Sequence, residues 1–252
     1  MGARFRELDR RVTPMGELVL RRRRTPWSSD DVYEVKLGDE FLMSSLFTVA
    51  EQEMSRLALE RLPGGGLDVA VGGLGLGYTA RAALDAGTAR GEEAGGSRVA
   101  SVLVIEVLQE VIDWHRTGLV PLGEALSADP RCSFRHGDFF ALLREGRLDP
   151  DRPGRRFDAV LLDIDHSPRH TLRADHDGFY TADGLRALVR ALRPGGVFAL
   201  WSNDPPEPRF RALLEDVFPV TEAHVVEFHN PIQDRPASST VYLALAPREA
   251  TP

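Results

Sequence analysis

Residues 67–83 read LDVAVGGLGLGYTARAA, an apolar run that meets a cluster of glycines and then takes on helix-forming composition. Leu67, Val69 and Val71 read as a buried strand, and residues 79–86 as a helix. Between them Gly72, Gly73, Gly75 and Gly77 crowd into six positions. A strand, a glycine loop and a helix in that order let the backbone approach a ligand closely and leave free N–H groups at the helix start. A nucleotide-like ligand is the natural occupant, although glycine-rich turns also serve plain strand-to-helix connections.

Downstream, residues 99–106 predict a second buried strand that ends on Glu106. A carboxylate at the carboxyl end of the second strand is where nucleoside sites place the acceptor for ribose hydroxyls, about 20 residues after the glycines. Glu106 lies 33 residues after Gly73, or 21 once the polar, glycine-rich insertion at 87–98 is set aside as a mobile loop. The alternative is a solvated glutamate at a strand end. A helix carrying Val111, Ile112 and Trp114 comes next, then a short third strand from Cys132 to Phe134 and the string His136-Gly137-Asp138-Phe139. An acid followed by an aromatic ring, just past a third strand, fits an adenine pocket. Asp138 equally suits the N-cap of a helix over 139–143, and the two roles are compatible.

A fourth strand over 157–164 delivers Asp163, Asp165, His166 and His170 at its carboxyl end, where ligand crevices of open α/β sheets lie. Asp163 stands out because it ends a run of apolar core residues; the plain alternative is an Asx- and Pro-rich turn capping the next helix. Helices over 182–192 and 209–218 flank a fifth strand at 197–201. Segments 220–228 and 240–246, joined by the Pro-rich stretch 231–239, look like an antiparallel pair appended to a parallel sheet.

Upstream, residues 1–50 alternate polar and apolar character in short bursts around the Gly38-Asp39 turn, as in a small antiparallel unit of hairpins. Arg21 to Arg24 is the one dense positive run and reads as a solvated strand edge that discourages sheet-to-sheet pairing. A helix over 48–62 leads into the core, giving a small β unit at 1–50 and an α/β domain at 51–252.

Of 252 residues, 42% are hydrophobic and 27% charged, ordinary proportions for a soluble globular protein. The formal charge of −7 argues against a general affinity for nucleic acid or an anionic membrane. No apolar run approaches the roughly 18 residues of a membrane span, and the Arg-rich N-terminus lacks the apolar centre of a signal peptide, so the cytoplasm is the expected location. The single cysteine, Cys132, reads as a small residue starting a buried strand rather than a nucleophile.

Taken together, the glycine loop at 72–77, Glu106, Gly137-Asp138-Phe139, FDAVLLDID at 157–165 and LRPGGVFALWS at 192–202 resemble class I S-adenosylmethionine (AdoMet)-dependent methyltransferases, and more narrowly the spermidine synthase-like family. FLMSSLFTVAEQEMSRLAL at 41–59 is similar to that family's approach from its N-terminal unit to the core. The resemblance covers roughly residues 15–246. It implies a Rossmann-like methyltransferase fold, with a mostly parallel seven-stranded sheet and an antiparallel C-terminal strand. It also implies AdoMet or decarboxylated AdoMet as cofactor, a small-molecule acceptor and a homodimer.

By the same resemblance, Gly73, Gly75 and Gly77 flank the methionine part of the cofactor, Glu106 the ribose and Asp138 the adenine, with Gly72, Val107 and Phe139 as further cofactor-binding residues. Asp163, which also borders the cofactor, is the carboxylate that helps deprotonate and orient an attacking amine; Asp165, His166 and His170 are further candidates, and Tyr180 is placed in the same crevice. The family carries an Asp in the glycine loop that pairs with the amine of decarboxylated AdoMet, where Leu76 stands here, and a second Asp where His166 stands. These departures put methylation of a small acceptor first, aminopropyl transfer second. A divalent-metal O-methyltransferase using Asp163, Asp165, Asn203 and Asp204, and a nucleoside-binding module without turnover, stand beside them.

Overall fold

A computed structural model describes residues 5–25, 30–86 and 97–248. Its first unit is an antiparallel sheet of four strands in chain order, β1 (Phe5–Thr13), β2 (Gly16–Arg24), β3 (Asp31–Leu37) and β4 (Glu40–Ser44). Gly38, at φ +56, supplies the left-handed backbone of the β3–β4 turn. Leu18, Leu20 and Val35 turn inward from β2 and β3. The sequence reading passed over β1 because FRELDRRVT has almost no inward-facing apolar alternation, as an edge strand with one wet face can afford.

The arginine run departs from expectation. It lies on β2, which is flanked by β1 and β3 and is therefore internal. Arg21 and Arg23 each donate to the buried Glu34 carboxylate at 2.7 Å, and Arg22 and Arg24 face Asp31 at 3.2 and 3.1 Å. The positive run is thus neutralised across the strand pair, and the sheet edges belong to β1 and β4.

Helix α1 (Val49–Glu60) leads to the main sheet. The chain then alternates β5 (Leu67–Gly72), α2 (Tyr78–Asp85), β6 (Val99–Glu106), α3 (Gln109–Arg116), α4 (Gly123–Ala128), β7 (Cys132–His136), α5 (Phe139–Arg144), β8 (Phe157–Leu162), α6 (Ala182–Ala191), β9 (Leu192–Ser202), α7 (Pro208–Glu215), β10 (Val220–Asn230) and β11 (Arg235–Leu245). The strand order is β10-β11-β9-β8-β5-β6-β7. Pairs among β5 to β9 are parallel, and β11 is antiparallel to both neighbours. This is the expected seven-stranded Rossmann-like sheet with its antiparallel final strand. The order runs outward from β5 through β6 to β7, then resumes at β8 on the other side of β5. The carboxyl ends of β5, β6 and β8 therefore border the switch point.

Boundaries shift where local pairing overrides composition. β9 begins at Leu192 and runs through Pro194-Gly195-Gly196, with its register shifted against β8. β10 and β11 continue to Asn230 and Arg235, so the connection is a tight hairpin rather than the whole stretch 231–239. Of the insertion at 87–98, residues 87–96 lie outside the described residues.

Two apolar clusters fill the two faces of the sheet. One joins α1, α2 and α3 to β2 and β3 through Leu18, Leu20, Met54 and Leu59; the other holds Phe139, Phe157, Phe198 and Tyr242 under α5, α6 and α7. At the opposite end from the switch point, Arg155 bridges Asp68 at 2.8 Å and Asp149 at 3.0 Å, and Arg193 bridges Asp68 at 2.7 Å and Asp158. These pairs tie the start of β5 to the start of β8 and β9. Among the described residues no helix is long and apolar enough to cross a membrane.

Candidate active site

The strand tips are tied together by backbone bonds. The Gly73 N–H donates to the Ile105 carbonyl at 2.9 Å, and the Asp163 N–H to the Gly72 carbonyl at 2.8 Å. Gly73 has φ +92, and a Cβ there would fall on the Asp163 carbonyl oxygen; at Gly75, φ +48, a Cβ would run into the Met43 sulfur. These two glycines line a cavity above the sheet. Gly72 and Gly77 do not. A Cβ on Gly72 would meet Leu162 and Phe139 at 2.8 Å, and Gly77 is the left-handed N-cap of α2, packed on His115 and Leu126.

Glu106, at the tip of β6, is buried and accepts from the Leu74 and Leu108 N–H groups at 2.9 and 2.8 Å. Burial pushes its carboxyl pKa up; the same amides act the other way, holding the carboxylate toward the cavity wall. Val107 lines the wall beside it. Asp138 holds both roles open to it: its side chain caps α5 by accepting from Ala141 N–H at 3.0 Å, and it borders the cavity. Phe139 contributes only a wall, since its ring is buried edge-on against Phe140 with centroids 5.5 Å apart.

Asp163 reaches the same cavity as Glu106. Its Oδ2 accepts from the Thr79 hydroxyl at 2.7 Å, and burial raises its pKa to about 6. Facing it is a residue the sequence reading did not single out, Glu51 on α1. Glu51 is buried, and burial together with the nearby Asp163 charge pushes it up to about 8. A detectable signal existed. Glu51, Met54, Ser55 and Ala58 form one buried stripe of α1, so an acid sits where helical spacing calls for an apolar residue.

Asp165 departs from its expected place at the reacting centre. β8 ends at Leu162, and the chain turns so that Asp165 accepts from Leu172 N–H at 2.8 Å and Tyr180 O–H at 2.9 Å and pairs with His176 Nδ1 at 2.7 Å. Neither Asp165 nor Tyr180 borders the cavity; His176, held by Asp165, does. His166 lines the cavity, while His170 is exposed beside Asp204 at 3.4 Å. Asp204 is occupied by Arg169, and among the described residues no three His, Cys, Asp or Glu side chains gather as a metal-holding group. Cys132 is half-buried, with its thiol pushed up to about 12 by burial, which leaves it protonated.

The cavity encloses about 1020 Å³, counted to its open mouth, and is roofed by Met15, Val35, Leu37, Leu42 and Met43 of the N-terminal sheet. Among the described residues its lining carries four carboxyls, Glu51, Glu106, Asp138 and Asp163, and no lysine or arginine. A second cavity of about 810 Å³ adjoins it, sharing Leu42, Met43, Glu51, His166 and Trp201. Leu76, which the sequence comparison set opposite a ligand amine, is wholly buried in the core and lines neither cavity.

No family model matches the chain. In sequence it is 33% identical over 131 residues to a polyamine aminopropyltransferase of Nitrosomonas europaea, an alignment that takes in 49% of this chain and 36% of that protein. In fold it superposes on spermidine synthase of Thermotoga maritima with a TM-score of 0.70 at 17% identity, over 95% of this chain and 72% of that one. The chain has the fold of the spermidine synthases. Human methyltransferase-like protein 13, solved in complex with SAH, is more distant, with a TM-score of 0.52 at 17% identity over 81% of each chain. The resemblance drawn from the motifs is therefore met in fold and, for 49% of the chain, in sequence.

Proposed function

We propose that the protein transfers the aminopropyl group of decarboxylated AdoMet to a small amine. The observation that carries this reading is the make-up of the cavity: four carboxyls, of which Glu51 keeps its proton until a cation draws it off, and no lysine or arginine among its described lining residues. AdoMet brings a carboxylate that such a wall would repel, whereas its decarboxylated form brings a sulfonium and an ammonium, both of which it would attract. The sequence match to an aminopropyltransferase favours the same reading over methyl transfer. With Leu76 out of the cavity, the objection that an ammonium would face an apolar residue no longer holds.

The residues present fit a sulfonium nucleoside. Glu106 would hold the ribose hydroxyls, Asp138 the adenine amino group, and Gly73 and Gly75 leave room where any side chain would collide. When bound, the cofactor supplies a carbon already activated by a thioether leaving group. The chain's own task is then positioning and proton management. Asp163, fixed by Thr79, accepts the proton the amine gives up as its nitrogen bonds to that carbon and the carbon–sulfur bond breaks, with the electron pair leaving on sulfur. A carboxyl with a pKa near 6 is ionised at neutral pH yet basic enough to serve.

Incubation with decarboxylated AdoMet and a panel of amines, followed by mass spectrometry, tests the proposal. Methylthioadenosine released only when an amine is present is the expected result. S-adenosylhomocysteine formed from AdoMet would replace aminopropyl by methyl transfer, and tight nucleoside binding with no turnover would leave a binding module.

A further inference from the structure

The second cavity differs from the first in chemistry. Its described lining holds one carboxyl, Glu51, at the wall it shares with the first cavity; away from that wall stand Phe41, Phe47 and Phe228 with the neutral Asn230 and Ser238. Phe47 and Phe228 approach each other with ring centroids 6.0 Å apart. We infer that this cavity is the acceptor subsite and that it takes an amine with a single cationic head and an apolar body, the head held between Glu51 and Asp163. The inference rests on the proposed aminopropyl transfer and names the acceptor class for that site.

Three physical points support it. An ammonium entering between Glu51 and Asp163 meets the ionised Asp163, the group that must take its proton, and draws off the proton that burial keeps on Glu51. An aryl or alkyl body gains by burial against three phenylalanine rings. A second ammonium at the far end of a diamine would meet phenylalanine, serine and asparagine side chains, with no anion among the described residues lining that end. Glu51 is thus the specificity-determining residue for the head, and the absence of a second acid sets the preference at the tail.

Calorimetry with phenethylamine and putrescine, on the full chain saturated with methylthioadenosine, reads this without requiring turnover. Phenethylamine is expected to bind at least tenfold more tightly than putrescine. Glu51→Gln is expected to weaken phenethylamine at least tenfold while leaving methylthioadenosine affinity within twofold. Ser238→Asp, at an exposed position on the far wall, is expected to bring putrescine to at least the affinity of phenethylamine. Putrescine binding as well as or better than phenethylamine in the parent protein, no binding of either amine, or a Glu51→Gln variant with unchanged amine affinity would overturn the inference. Failure of the underlying reading shows elsewhere, as absent methylthioadenosine binding or absent aminopropyl transfer to every amine.

Discussion

Replacing Glu51 by Gln isolates the electrostatic cost of the carboxyl pair at the strand tips. In the folded chain this group is pushed from 4.5 to about 8, first by burial and second by Asp163. The unfolded chain releases the proton near the ordinary carboxylate value. Between those limits the folded state therefore keeps a proton the unfolded state has lost, and stability falls as pH rises through the window. Each pH unit is worth about 1.4 kcal/mol, so the Glu51 carboxyl alone removes about 3 kcal/mol between pH 5 and pH 7. Glutamine keeps the shape and the hydrogen-bonding capacity but cannot ionise. Urea unfolding of the ligand-free protein should give parent and variant equal within about 1 kcal/mol at pH 5, with the variant ahead by roughly 3 kcal/mol at pH 8. A variant that is less stable at pH 8, or a difference independent of pH, would refute the placement of Glu51 in a buried pair.

Three further outcomes follow from the same geometry. Asp163 must be ionised to accept a proton, so kcat/KM should fall tenfold per pH unit below about 6, and Asp163→Asn should lose 10²-fold or more at neutral pH, both measurable by methylthioadenosine release. Gly73→Ala places a side chain on the Asp163 carbonyl at a backbone angle that disfavours it; nucleoside affinity should fall at least a hundredfold by calorimetry, with about 1–3 kcal/mol of stability lost. Arg155 is buried between Asp68 and Asp149 with its guanidinium over the Phe157 ring, so Arg155→Ala should cost about 3–5 kcal/mol in urea unfolding while leaving nucleoside affinity in the surviving folded protein unchanged.

The parts of the site readable from sequence are those carried by strand ends. In a parallel sheet a strand is an unbroken apolar run, so the acid that ends it, Glu106 or Asp163, marks the carboxyl tip and hence the crevice. The glycine loop is readable for a related reason, since Gly73 and Gly75 occupy backbone angles and spaces that other residues cannot share. Glu51 escaped because an acid is ordinarily assigned to the wet face of a helix, and its spacing from Met54, Ser55 and Ala58 was the sign that it stands on the buried one. Asp165 misled for the converse reason. Proximity in sequence to Asp163 says nothing about the turn that hands its carboxylate to His176 and Tyr180. The arginine run was misread because a charged strand looks like an edge until its partner on the outer side is known.

Decarboxylated AdoMet and AdoMet differ by one carboxylate, so their relative affinity reports directly on whether the cavity above the strand tips is built for cations. Titration calorimetry of each into the ligand-free protein at pH 7.5 should show the decarboxylated form at least tenfold tighter. AdoMet binding equally well or better would contradict the account, because the described wall, lined by Glu51, Glu106, Asp138 and Asp163, holds no lysine or arginine with which to meet that carboxylate.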